Sequence, residues 1–339
     1  MSALEFRAGG PDVPEARKLF RREWAIAAGL IALLGVGLFG IISGPGLGET
    51  LHAIGSLRAV DVAVLLALSL VNYGLRGLRW HLFARRIGLP TTLPRNLLHF
   101  LAGFAMVVTP GRVGELVRML WLRRETGWRF ERTAPLALAD RTADLLTMAL
   151  LLAIAVMLSA DSPAGATVVA LLAAGFAILL TRPGILRLAA NAGYAASGQR
   201  FPRLFARTRR AALSLRAVAG ARVMLTATGL GIVGWLAEGA AFVFLLHQLG
   251  AEIDGWSAIA IFIFATLAGG LTGAPGGLGG AEAAMVGLLV LADVPAPVAL
   301  SATLIIRATT LWFALVLGMC LFPLAERRSR RDADALEGH

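Results

Sequence analysis

Apolar runs of about 20 residues recur along this chain, separated by short arginine-rich segments. A run of that length crosses a bilayer as a helix at about 1.5 Å per residue. In hydrocarbon every backbone N–H and C=O must be satisfied within the protein, which restricts such runs to helices. The composition agrees: 57% of the residues are hydrophobic, 16% are charged and the mean hydropathy is +0.74. A soluble domain is about 45–50% apolar and about 25% charged. The 39 glycines and 14 prolines also suit membrane helices. The expected fold class is an all-α polytopic membrane protein.

The net charge of +11 does not point to nucleic acid. The positive residues lie between the apolar runs, where orientation in a membrane requires them. Nearly all are arginine, with Lys18 the sole lysine. Cys320 is the sole cysteine, so neither an intrachain disulfide nor a cysteine metal site can form. The histidines show no metal-binding spacing. No metal or cofactor is expected.

The chain divides into a polar segment at 1–23, a membrane domain at 24–324 and a tail at 325–339. The first span, Trp24–Ser43, is long for a secretory h-region and no A-x-A site follows it, so it reads as a retained helix. Five more spans follow: Val60–Trp80, Thr133–Leu158, Ala164–Thr181, Val223–Leu246 and Val298–Leu324. A basic segment at 182–222 carries nine arginines, from Arg182 to Arg222, and contact with anionic lipid is expected there. The tail opens on Arg327-Arg328-Ser329-Arg330-Arg331 and reads as unstructured beyond it.

Two further elements, at about 96–124 and 257–291, are apolar but broken. The first break reads Pro110-Gly111-Arg112-Val113-Gly114-Glu115. The second reads Pro275-Gly276-Gly277-Leu278-Gly279-Gly280-Ala281-Glu282. Each joins halves too short to span, as a re-entrant helical hairpin does. With a cytoplasmic N-terminus, every arginine-rich loop lies inside and the acidic loops lie outside, which agrees with the positive-inside rule. Three full spans then separate the two hairpins, so the hairpins enter from opposite sides. Six full spans plus two re-entrant hairpins form an inverted repeat, the arrangement of alternating-access proteins. Both termini are cytoplasmic, and a bacterial inner membrane is the expected location.

An ionisable side chain at the bilayer centre costs at least about 2.5–3.5 kcal/mol. This chain places Arg112, Glu115, Asp140, Arg141, Asp144, Glu238, Glu282 and Arg307 at such depth. They must face one another or a wet cavity. Asp140 and Asp144 are four apart and stack on one helix face, with Arg141 about 100° away. An arginine follows each hairpin glutamate by about 25 residues, so the repeat predicts the pairs Glu115–Arg141 and Glu282–Arg307. A half-helix that starts after Pro-Gly aims its free N–H groups inward and attracts an anion such as a phosphate. Arg76 and Arg79 share one face at the end of the second span. Arg79, next to Trp80, reads as an interfacial snorkelling side chain, with Arg76 deeper. No phosphate-loop lysine follows the glycines around Pro275, and no nucleophile elbow is present.

The ordered set Asn72…Leu75-Arg76…Arg79-Trp80, Pro110-Gly111-x-x-Gly114-Glu115…Arg118, Asp140-Arg141…Asp144, Pro275-Gly276-Gly277-Leu278-Gly279…Glu282 and Arg307 resembles the lysylphosphatidylglycerol synthase transmembrane-region family. These are flippase-like proteins also labelled dolichol-phosphate-glucose synthetases. The resemblance covers about residues 25–325. It implies a membrane domain with two re-entrant hairpins that moves a phospholipid or lipid-linked product between leaflets. By that resemblance Arg112, Glu115, Asp140, Arg141, Glu282 and Arg307 line the headgroup path. Arg76, Arg118, Asp144 and Glu238 join them as candidates, with Pro110, Gly111, Gly114, Pro275, Gly276, Gly277 and Gly279 shaping the hairpin turns. Aminoacylating members carry a soluble transferase domain after the membrane part. Here the chain stops about 15 residues past the sixth span, so synthesis of the lysyl lipid is not expected.

A lipid translocator is therefore the leading expectation, a transporter rather than an enzyme. A membrane-embedded glycosyl- or phosphotransferase acting on a lipid-phosphate is the first alternative. A non-transporting partner of a lipid-modifying enzyme is the second. The expected partners are a phospholipid or lipid-linked substrate, and either a second copy of this chain in a homo-oligomer or a lipid-modifying enzyme.

Overall fold

The computed structural model describes residues 55–107, 113–159, 220–272 and 274–337, with a few isolated positions besides. The expected first span, the expected fourth span, most of the basic segment and the Pro110-Gly111-Arg112 turn lie outside the described residues.

Every regular element among the described residues is helical. They are α1 (Ala59–Arg86), α2 (Leu93–Ala102) with a 3₁₀ turn at Gly103–Met106, α3 (Val113–Thr126) and α4 (Phe130–Leu158). After the undescribed segment come α5 (Ala221–Gln248), α6 (Gly255–Leu271), a 3₁₀ turn at Pro275–Gly277 and α7 (Gly280–Leu291). Then α8 (Ala296–Arg307) passes through a π-helical turn at Ala308–Trp312 into α9 (Phe313–Glu337). Four stretches are long and apolar enough to cross a membrane: Ala59–Arg86, Arg132–Leu158, Arg222–Gln248 and Ala296–Leu336. The apolar helices α6 and α7 are shorter. This is a membrane protein.

Local chemistry sets the helix limits. At the start of α1 the Asp61 carboxylate accepts the Arg58 backbone N–H (3.0 Å) and two guanidinium N–H groups of Arg58 (3.1 Å each). The Asp254 carboxylate accepts the Ser257 N–H (2.8 Å) to start α6. Gly88 closes α1 in the left-handed region (φ 76°), with the Gly88 and Leu89 N–H groups donating back to Arg85 and Ala84.

Two differences from the sequence reading matter. The expected second span ends not at Trp80 but at Arg86, and this places Arg79 within the helix. The tail, expected to lack structure, is helical to Glu337. Ala325 and Ser329 are buried there against the α2–α3 unit. The Trp121 indole and Arg124 both donate to Glu326 (2.8 and 2.9 Å), and Arg95 reaches Asp332 (2.7 Å). The alternation of arginine with Ala325, Ser329 and other small residues reflects an amphipathic helix, not a solvated tail.

The core falls into two lobes. One joins Met148–Ala155 of α4, Trp235–Leu246 of α5, α6, α7 and α8. The other joins Tyr73–Ala84 of α1, the α2–α3 unit, Leu136–Ala143 of α4 and Ala314 of α9. Helices α1, α4 and α5 run through both lobes, and α1 and α5 form the most extensive helix pair. Close approach of α5 to α4 and to Arg79 of α1 depends on Gly231. A Cβ on Gly231 would lie 2.5 Å from Thr147 Oγ1 and 3.1 Å from Arg79 Nη1.

Candidate functional site

The seam between the lobes carries the buried charges. Asp140 and Asp144 face α1 from one side of α4, as their four-residue spacing predicts. Arg79 meets both: its Nε and Nη2 donate to Asp140 Oδ1 (3.1 and 2.7 Å), and Nη2 also donates to Asp144 Oδ1 (2.6 Å). Its side chain has no exposed surface. Arg76, one turn earlier, donates to Asp144 Oδ2 (2.8 Å) and lies over the rings of Trp235 and Phe100. The Trp235 indole N–H completes Asp144 at 3.3 Å. The expectation that Arg79 snorkels to the interface is therefore overturned. The matching signal was in the sequence: arginines three apart on one helix and aspartates four apart on another present complementary stripes.

The second cluster is built by the α6–α7 hairpin. Gly276, Gly277 and Gly279 all adopt positive φ (62°, 69° and 81°), a turn that a side chain would strain. Gly277 also lies against Gly269, where a Cβ would fall 3.0 Å from the Gly269 carbonyl carbon. This turn aims the Gly276 carbonyl at Arg307, whose Nη2 donates to it (2.8 Å). Arg307 Nε donates to Glu282 Oε1 (2.5 Å), in the first turn of α7. The predicted Glu282–Arg307 pair is thus formed. The counterpart Glu115–Arg141 lies outside the described side chains at Glu115, as do Arg112, Pro110 and Gly111. Gly114 is described only as helical backbone of α3.

Glu238 of α5 and Tyr73 of α1 stand between the two clusters. Glu238 is buried, and the charges acting on it are Arg76, Arg307 and Asp144. It makes no hydrogen bond or ion pair with a described residue. Tyr73 donates its hydroxyl to the Thr310 carbonyl, in the π-helical turn that follows Arg307. Such a turn breaks the regular helical bonding and leaves a carbonyl for an outside donor. Asn72 is fully buried in the same seam against Gly234. Its amide atoms, like Arg79 Nη1, have no hydrogen-bond partner among the described residues.

Two candidates sit apart from the layer. Arg141 is half-buried on the adjoining face of α4 and acts on Asp144 electrostatically. Arg118 lies in the second lobe, its guanidinium 4.2 Å from the centre of the Phe100 ring and 5.3 Å from that of Phe104. Gly103 leaves room for it, since a Cβ there would lie 2.1 Å from Arg118 Nε. This is an aromatic cation box. Sequence reasoning missed Arg79, Tyr73, Asn72 and Trp235 as parts of the layer. Arg79 and Asn72 stood in the ordered set that carries the family resemblance, whereas Tyr73 and Trp235 resemble ordinary membrane-helix residues until α1 and α5 are packed together.

Fold and site define a helical membrane protein with an arginine–carboxylate layer buried between two apolar lobes. The chain belongs to the family described as lysylphosphatidylglycerol synthase TM region, whose sequence model matches residues 24–318. It is also similar to a UPF0104 membrane protein of Methanothermobacter thermautotrophicus, 35% identical over 89 residues. That stretch is 26% of this chain and spans 27% of the relative.

Proposed function

We propose that this protein moves a phospholipid or lipid-linked headgroup between leaflets through the polar layer. The carrying observation is that layer itself: Arg76, Arg79 and Arg307 meet Asp140, Asp144 and Glu282 inside an apolar bundle, with Glu238 between them. Buried charge of this kind is costly and marks a pathway or substrate site. A phosphate is the ligand that suits guanidinium groups and the N-terminus of a half-helix such as α7. Family membership supports the lipid assignment. The proposal includes six full spans, with α2–α3 and α6–α7 as re-entrant hairpins of an inverted repeat. Arg112, Glu115, Arg141 and Arg118 serve the first half as Glu282 and Arg307 serve the second. The placement is the bacterial inner membrane, both termini cytoplasmic, with anionic lipid held at the basic 182–222 segment. We read the protein as a transporter, not an enzyme.

The test is reconstitution into phosphatidylcholine vesicles carrying a trace of short-chain, fluorescently labelled phosphatidylglycerol. Albumin back-extraction then measures lipid that crosses the bilayer. The wild-type protein is expected to speed crossing, and Arg307→Ala to slow it at least tenfold. Wild-type vesicles that match empty ones would overturn the proposal.

A further inference from the structure

We propose that the α3–α4 turn holds the headgroup phosphate of an anionic phospholipid, in a pocket of Trp128, Arg129 and Arg132 apart from the polar layer. This does not rest on the translocator reading. It requires only that α4 crosses a membrane.

The chemistry of the turn builds the pocket. Gly127 takes a positive φ (71°), which ends α3 in a conformation that a side chain would strain. Its N–H donates to the Arg123 carbonyl (2.8 Å). The Thr126 hydroxyl donates to the Leu122 carbonyl (2.7 Å) and accepts the Trp128 N–H (3.3 Å), which fixes the next residue. At the start of α4 the buried Thr133 hydroxyl donates to the Phe130 carbonyl (3.1 Å). Trp128 packs against the second lobe. Arg132, in the first turn of α4, sets its guanidinium 3.5 Å from the centre of the Trp128 ring. Gly127, Trp128, Arg129 and Arg132 line a cavity of about 530 Å³, a size that suits a small ligand or headgroup.

Charge, geometry and depth each fit this cavity to a lipid phosphate. Its described lining carries two arginines and no carboxylate. Neither arginine forms an ion pair with a described residue. Stacking on Trp128 occupies the face of the Arg132 guanidinium and leaves its edge donors, the arrangement that takes two phosphate oxygens at once. The apolar span of α4 runs from Arg132 to Leu158, so the cavity stands where hydrocarbon gives way to headgroups. Trp128 and the exposed Phe130 are aromatic residues of the kind that mark that level. A soluble anion would meet the arginines alone, whereas a lipid also covers Phe130.

Charge that served orientation only would treat the arginines at this end alike. Arg123, exposed on α3 and outside the cavity lining, would then matter as much as Arg129 or Arg132. That contrast supplies the control.

The full chain in neutral detergent micelles is titrated with phosphatidylglycerol or with phosphatidylcholine, and native mass spectrometry counts the lipids retained. The first phosphatidylglycerol should bind at least about tenfold tighter than phosphatidylcholine. Arg129→Gln and Arg132→Gln should each weaken it by about fivefold. Arg132→Lys should weaken it too, because an ammonium has neither the flat face nor the paired donors. Arg123→Gln should leave it unchanged. The same losses are expected on an Arg307→Ala background, which keeps a lipid held in the polar layer out of the count. Equal affinity for the two lipids overturns the inference, as does a loss from Arg123→Gln that matches the pocket variants. Losses that vanish on the Arg307→Ala background also overturn it, since the lipid counted then belongs to the layer. Displacement of the lipid by millimolar inorganic phosphate overturns it in favour of a soluble anion.

Discussion

Arg79→Ala should be among the most destabilising single substitutions in this protein, and well ahead of Arg76→Ala. Arg79 donates twice to Asp140 and once to Asp144, with no exposed surface. Its loss leaves Asp140 buried without a cationic partner. Removing one member of a buried pair costs about 3–5 kcal/mol. Arg76 makes a single charged bond to Asp144, and without it Asp144 still accepts from Arg79 and Trp235. One charge-assisted bond is worth about 1.5–3 kcal/mol. The ratio should reverse in a cycle: Arg79→Met combined with Asp140→Leu removes both charges and should recover at least half of the single-variant loss. Reversible unfolding in mixed detergent and dodecyl sulfate micelles, followed by far-ultraviolet circular dichroism, gives each free energy. Equal costs for Arg79→Ala and Arg76→Ala, or strictly additive costs in the cycle, would refute the assignment of Arg79 as the structural anchor of the layer.

Other outcomes follow from particular contacts. Gly276→Ala forces a side chain into the left-handed region beside Arg307 and should cost about 1–2 kcal/mol in the same unfolding assay. No loss would mean the turn relaxes freely. Gly318→Ala should loosen α9 from the Gly103–Met106 turn, since a Cβ there would lie 2.2 Å from the Ala105 nitrogen. Faster protease cleavage after Arg327 is the expected readout, and unchanged cleavage counts against the packing. Glu125, at the end of α3, has its carboxyl raised above the ordinary 4.5 by burial. The folded state therefore holds that proton more tightly than the unfolded chain does. The contribution is fully present below about pH 4.5 and is lost as pH rises through the raised value. Glu125→Gln should flatten the pH dependence of the unfolding midpoint in that window. An unchanged slope would sink the attribution.

The sequence made some of this legible because the rules behind it are local. The apolar runs of α1, α4 and α5 are long enough to announce spans, and Pro275 with the glycines at 276, 277 and 279 announces a break between two short helices. The Glu282–Arg307 pair followed from the repeat spacing alone. What escaped the sequence depends on which helix faces which. Arg79 next to Trp80 is indistinguishable from an interfacial anchor until α1 is set against Asp140 and Asp144. The ordered α9 extension escaped for a similar reason. Its arginines read as a solvated tail because its partners, Trp121 and Arg95, lie more than 200 residues earlier.

Commitment separates the arginines of the layer by role. Arg79 donates to two carboxylates through Nε and Nη2 and has no surface, so a headgroup cannot reach it without dismantling the α1–α4 contact. It acts as a positioning residue that holds Asp144 toward Arg76. Arg76 and Arg307 retain 13% and 10% side-chain exposure, and each holds one carboxylate. A phosphate can replace a single carboxylate on such a group at modest cost, because a guanidinium offers several donors in one plane. Arg76→Lys and Arg307→Lys keep the charge but lose that geometry. Lipid crossing should therefore fall in both lysine variants while stability changes by less than about 1 kcal/mol. Arg79→Lys should lose stability, because no ammonium can span Asp140 and Asp144 as the fork does. If the lysine variants of Arg76 and Arg307 move lipid at the wild-type rate, charge alone suffices at those positions. The division of roles drawn from exposure and bonding then fails.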